Sequence, residues 1–238
     1  MIRHISPENK ILTFLFLLIT ILLEATLVIG QTVGDYRSDV ANGNWTTISN
    51  WRIWNGTNWI TSTTYPGQNS GTGNVVIRFG STISLDLSPA FSIGSLNVGD
   101  GTNNNLGLSN NPAILSIGSN TLSVIGNVVI SKSNSSRNGN LNNNTGTLKI
   151  SGSLSIANGV YNCNTGTVDF NGGAQTIAAL TYYNLTLSGS GTKTLSASQT
   201  ISGDLEINST AKASFTGNLN TANALYLNGV QQSSGTWG

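Results

Sequence analysis

The sequence predicts an all-β chain wound into stacked parallel strands, and three observations carry that expectation. One is a phrase of the form apolar, any, Gly, any, apolar, any, apolar, found at Val124–Ile130, Ile150–Ile156 and Ile201–Ile207. Its glycines, Gly126, Gly152 and Gly203, are 26 and then 51 residues apart, close to one step and two. The second is Asn144-Thr-Gly-Thr-Leu-Lys-Ile150, which returns 20 residues on as Asn164-Thr-Gly-Thr-Val-Asp-Phe170, with a looser echo at Gly191-Thr-Lys-Thr-Leu195. The third is the alternation of apolar and polar residues inside each phrase, the period of a strand. Self-similarity at this step marks stacked units, none of which buries its apolar face alone. The expected product is a parallel β-helix, or β-solenoid, with right-handed winding as the expectation. Parallel strands need a long crossover, and a chain that goes round its own axis supplies one without helices.

The chain divides into three expected segments: a signal peptide at residues 1–30, a Trp-rich N-terminal cap at 31–72, and β-solenoid repeats at 73–238. Arg3 and Lys10 precede an apolar run from Ile11 to Leu23, and Glu24 interrupts it before small Gly30. That core is short for a spanning helix, which needs about 20 apolar residues, and fits a secretory leader. The expected location is therefore extracellular, secreted or at the cell surface, with the membrane met only through the leader during export.

Between Asp35 and Thr64, Trp45, Trp51, Trp54 and Trp59 cluster among the turn signals Asn42-Gly43 and Asn55-Gly56, with Pro66-Gly67 just beyond. The span reads as short hairpins or loops closing the first turn of the stack, whose open end would otherwise expose apolar side chains and strand edges. Short strands follow at Asn74–Phe79 and Thr82–Asp86, with Phe91–Val98 echoing the repeat. Asp100 to Asn111 reads as a polar turn. Ala113–Ile117 and Thr121–Ile130 read as strands again, and Ser131–Thr145 as a projecting loop with Leu141 its only apolar residue. From Thr147 onward the strands are regular. Gly152 is expected to mark a bend between two sheets. Asn144 and Asn164 are candidates for a turn ladder.

Charge is scarce. Asp, Glu, Lys and Arg make up 8% of the residues, with a formal net charge of +1, against about 25% charged residues in average proteins. No basic patch is dense enough for nucleic acid. The abundant Ile, Val, Leu and Thr argue against disorder. The only histidine, His4, falls in the expected leader, and the lone Cys163 allows no intrachain disulfide. A thiol without an imidazole to activate it is a poor nucleophile, so Cys163 reads as a small turn residue.

Candidate sites are few. The four tryptophans could stack on sugar rings, although large aromatics are more often buried. Asp204 and Glu206 share the outward phase of one strand. They are the best available pair for a polysaccharide lyase or glycosidase, though solvated edge charges are the commoner reading. Lys149 and Asp169 occupy equivalent places in neighbouring turns and should pair. Thr145/Thr147, Thr165/Thr167 and Thr192/Thr194 could form an ice-binding array if they keep one register, which the unequal steps disfavour. No catalytic residue, metal ligand or cofactor is assigned.

Gly43-Asn-Trp45, Asn50-Trp51, Tyr65-Pro66-Gly67 and Val75-Val-Ile77 resemble the opening module of β-helical adhesin-like surface proteins secreted by Bacteroidetes-type bacteria. Phe170-Asn-Gly-Gly-Ala-Gln-Thr-Ile177 and Tyr182-Tyr-Asn-Leu-Thr-Leu187 resemble their repeats. The run from Leu225 to Gly238 is similar to the closing strand of autotransporter-associated repeats. The resemblance implies an adhesive or matrix role. Flat Asn, Ser and Thr faces would meet a carbohydrate or another surface, with cell-surface or extracellular polysaccharide the expected partner. It also implies a longer parent chain, since such proteins close on a sorting or anchoring domain.

Overall fold

The computed structural model of this chain describes residues 31–99, 109–216 and 220–236. The expected leader at 1–30, with His4, lies outside them, as does most of the expected turn at Asp100 to Asn111. The described chain is all-β and its sheets are mainly parallel, with one short 3-10 turn at Ile48–Asn50. Strands form where apolar and polar residues alternate over three or four positions between Gly, Asn and Ser turns. In Val75–Ile77, Leu96–Val98 and Thr147–Ile150 that alternation becomes alternate burial.

Four sheets result. The first runs Leu154–Ala157, Val128–Ser131, Leu96–Val98, Val75–Ile77 and Tyr36–Ser38, all parallel, and then adds Trp51–Trp54 and Trp59–Thr61 antiparallel at one edge. The second runs Val160–Asn162, Gly139–Asn142, Ala113–Ser116, Thr82–Ser84 and Asn42–Asn44, all parallel. The third runs Thr121–Val124, Thr147–Ile150, Thr167–Phe170, Asn184–Leu187, Thr200–Ile207 and Thr221–Leu227, with Val230–Gln231 antiparallel at its end. The fourth holds Gln175–Ile177, Thr192–Leu195 and Lys212–Phe215. From Val75 to Asn162 the chain keeps returning to the same three sheets. From Thr167 onward it alternates between the third and the fourth.

Register turns the repeat into a core. Leu122, Leu148, Val168, Leu185, Leu205 and Leu225 stand in one inward column of the third sheet. None of the six is more than 6% exposed. Val75, Leu96, Val128 and Leu154 form the matching column of the first sheet. Each such side chain contributes about 1.5–3 kcal/mol by leaving water. The unequal sequence steps are absorbed outside the columns. Between Ser131 and Gly139 the chain makes an excursion closed by a bridge from Lys132 to Asn138, and the following turn lacks it.

At the corner between the third and first sheets the glycines of the repeat stack on one another. Gly73 donates its amide to Gly34 O at 3.0 Å, Gly94 to Gly73 O at 2.9 Å, Gly126 to Gly94 O at 2.5 Å and Gly152 to Gly126 O at 3.1 Å. A Cβ on Gly152 would stand 2.4 Å from Gly126 O, and one on Gly126 would stand 2.8 Å from Gly94 O. No side chain fits between layers this close. Gly126 and Gly152 therefore lie at bends between sheets. At another corner, between the second and third sheets, Gly118, Asn144 and Asn164 adopt φ of 68°, 52° and 46° in turn. Asn tolerates that left-handed conformation better than other side-chain-bearing residues. Asn144 Oδ1 also lies 3.4 Å from the Gly118 amide that donates to it.

Several expectations need correction. Thr121–Ile130 is two strands in different sheets, broken at Gly126. Ser131–Thr145 is not one loop: Gly139–Asn142 joins the second sheet, with Leu141 fully buried. Val160–Asn162, unmarked by alternating apolar residues, is a strand of the same sheet. Gly203 sits inside the single strand Thr200–Ile207, where the pairing slips between Ile201 and Asp204. Within residues 31–72, Tyr36–Ser38 and Asn42–Asn44 pair in parallel with Val75–Ile77 and Thr82–Ser84.

Candidate functional site

The outward columns of the third sheet meet at a cleft of about 380 Å³. It is lined by Thr167, Asn184, Thr186, Asp204, Glu206, Tyr226 and Gly229. Strand alternation places these side chains. Leu185, Leu205 and Leu225 point inward, so their neighbours point out. Thr186, Glu206 and Tyr226 align across three strands, while small Ala224 stands opposite Asp204. Asn184 Oδ1 accepts the Asp204 amide at 3.0 Å and holds the slipped segment in place. Asp204 and Glu206, the acidic pair singled out from sequence, are thus brought into one concave site. Thr186 and Tyr226 were missed as partners. The signal was present, since Tyr226 lies between Leu225 and Leu227 in the same phase as Glu206 between Leu205 and Ile207.

One column continues through Asp169 to Lys149. The expected pair forms, with Lys149 Nζ 3.8 Å from Asp169 Oδ2, a contact worth about 0–1 kcal/mol where one partner is exposed. Ser188 Oγ donates to Asp169 Oδ1 at 2.6 Å. Burial nevertheless raises the Asp169 carboxyl above the ordinary range, against the lowering effects of Ser188, Lys149 and Lys193. Lys193 is fully buried. Its ammonium donates to Gly172 O at 2.8 Å, Gly173 O at 2.6 Å and Gln175 Oε1 at 2.5 Å. Burial lowers its pKa, and Asp169 opposes that shift. The sequence placed Lys193 in phase with inward Leu195, a signal that its charge obscured.

The tryptophans separate into two pairs. Trp45 and Trp51 are fully buried, with ring centroids 4.9 Å apart at 67°. Trp51 Nε1 donates to Trp45 O at 2.7 Å and Trp45 Nε1 to Pro66 O at 2.8 Å. Neither offers a face to a sugar ring, which corrects their place in the proposed platform: two indoles pack best inside, once their N–H groups find acceptors. Trp54 and Trp59 are half-buried neighbours with centroids 5.5 Å apart, and the Arg37 guanidinium lies 4.6 Å from the Trp59 ring. Beside them Asp39 pairs with Arg52 at 2.7 Å and with buried Arg78.

The threonine pairs also separate. Thr147 and Thr167 align with Thr121 and Asn184 in one column, with Thr145 and Thr165 at the adjoining turns. Thr192 and Thr194 belong to the fourth sheet. Cys163 is half-buried at its turn. Among the described residues, no three His, Cys, Asp or Glu side chains gather as a metal group would require, and no helix is long and apolar enough to cross a membrane. Comparison with models of known protein families, with curated proteins and with solved structures finds no match to this chain.

Proposed function

We propose that this chain is an exported, non-catalytic β-solenoid, closed at one end by its tryptophan-rich stretch, that adheres to cell-surface or extracellular polysaccharide. The observation that carries the reading is the alignment of uncharged hydrogen-bonding side chains in columns. Asn44, Ser84, Ser116, Asn142 and Asn162 share one column of the second sheet. Thr121, Thr147, Thr167 and Asn184 share one of the third. Neighbouring members recur at about the 4.8 Å strand spacing. A regular row of amides and hydroxyls suits an extended, hydroxyl-bearing polymer, and the scarcity of charge suits a neutral one. The test is retention of the full chain on cellulose, chitin and a mixed β-glucan. Retention on at least one, weakened by Asn142→Ala with Asn162→Ala, is expected. No retention on any would overturn the proposal.

The cleft supports a second reading, in which Asp204 and Glu206 make the chain a polysaccharide lyase or hydrolase. Turnover of a uronate or neutral polysaccharide that Asp204→Asn abolishes would replace the adhesive reading.

A further inference from the structure

We propose that the cleft on the third sheet is a subsite for a cationic amino sugar, a glucosamine unit within a glycan; the inference rests on the adhesive reading above and names what one part of that surface selects. The walls carry two carboxylates and no cationic side chain. Asp204 and Glu206 make no salt bridge among the described residues, and the nearest cation in the same columns, Lys149, is engaged with Asp169. A uronate or sulfated sugar entering the cleft would meet two like charges without a counter-ion. A protonated amine would be drawn in. The carboxylates stand two positions apart on one strand, roughly 7 Å along it. One can hold the ammonium while the other accepts ring hydroxyls.

The remaining lining distinguishes a sugar from a bare cation. Tyr226 stands directly across from Glu206. An aromatic ring at that place packs against the C–H face of a pyranose and attracts an adjacent ammonium. Thr167 and Thr186 add hydroxyls that donate or accept. Ala224 opposite Asp204, and Gly229 in the lining, carry too little side chain to crowd a sugar ring beside the carboxylates. A calcium ion would want six to eight oxygen ligands, and two carboxylates on one face do not build that cage.

The test is calorimetric titration of the full chain in mildly acidic buffer, where the sugar amine is protonated. The probes are a glucosamine hexamer, the N-acetylated hexamer and a hexalysine peptide. The glucosamine hexamer should bind most tightly, weaken as salt is added, and lose at least tenfold in affinity in Asp204→Asn with Glu206→Gln. Tyr226→Ser, at a half-buried position, should weaken it separately. Equal binding of the acetylated hexamer, unchanged binding by the carboxylate variant, or tighter binding of hexalysine would overturn the proposal. Retention of the wild-type chain on neutral polysaccharide separates the outcomes. If retention persists while the hexamer fails to bind, the subsite falls and the adhesive reading stands. If the wild-type chain neither adheres nor binds the hexamer, both fall.

Discussion

Gly152 donates its amide to Gly126 O at 3.1 Å, so the two glycines of the repeat lie against each other in successive layers. A methyl group on Gly152 would come within 2.4 Å of that carbonyl and 2.6 Å of Asn127 Oδ1. Because the obstacle includes backbone, the layers would have to part. Gly152→Ala should destabilise by about 1–3 kcal/mol, the usual cost of overpacking. Gly173→Ala is the control, since its added Cβ meets nothing within 4 Å. Urea unfolding of the two variants compares them; equal midpoints would contradict the close stacking.

Leu154 is 6% exposed and pairs with Val128 at the end of its inward column. Leu154→Asp places a carboxylate where no partner waits and removes apolar burial as well. A loss of at least about 3 kcal/mol is expected. An unchanged thermal melt would mean that the side chain does not face the core.

Gln175 bridges two layers. Its Nε2 donates to Ile150 O at 3.0 Å and to Gly152 O at 2.6 Å, while its Oε1 accepts from Gly172 N and Lys193 Nζ. Gln175→Ala leaves these groups short of partners, and the expected cost is about 1–3 kcal/mol. Gln175→Glu keeps the acceptor for Lys193 but loses both donated bonds. It should fall between wild type and Gln175→Ala in a denaturant titration.

Asp169 gives a pH signature. Its carboxyl is held above the ordinary value by burial, so the folded chain binds that proton more tightly than the unfolded chain does. The stability this contributes is fully present below the unfolded pKa and is lost as pH rises through the folded one. Asp169→Asn should remove that fall. Urea midpoints of the two proteins should therefore diverge in favour of the variant as pH is raised from about 3 to about 7. Parallel curves would show that the site does not titrate this way.

Trp45→Phe keeps a ring in the core but removes the bond to Pro66 O. A loss of about 1–3 kcal/mol is expected from the shrunken side chain and the orphaned carbonyl. Trp59→Ala, at the half-buried pair, should cost less than Trp45→Phe. Thermal melting of both variants tests the order.

Much of the strand pattern was legible because alternation with period two is a local signal. The recurring Thr-Gly-Thr phrase ends in the strands Thr147–Ile150 and Thr167–Phe170. The second sheet was hardest to see. Its inward positions include Gly139, and its outward ones are filled by Asn140, Asn142 and Asn162, so apolar contrast is weak there. Of the site, Asp204 and Glu206 could be placed on one face from phase alone. That a cleft forms beside them could not be read, because it depends on Tyr226 and Gly229 from strand and turn about twenty residues on.

The sequence by itself determined the inward phase of the clearly alternating strands and that similar units recur, since both follow from periodicity along the chain. Only the tertiary structure decided which units align. Two steps of different length bring Thr121, Thr147 and Thr167 into one column because the excursion after Ser131 takes up the difference. Alignment is set by backbone hydrogen bonds between layers and by the fit of buried side chains across them. Neither energy is a property of any one segment, so neither is written in a single stretch of residues.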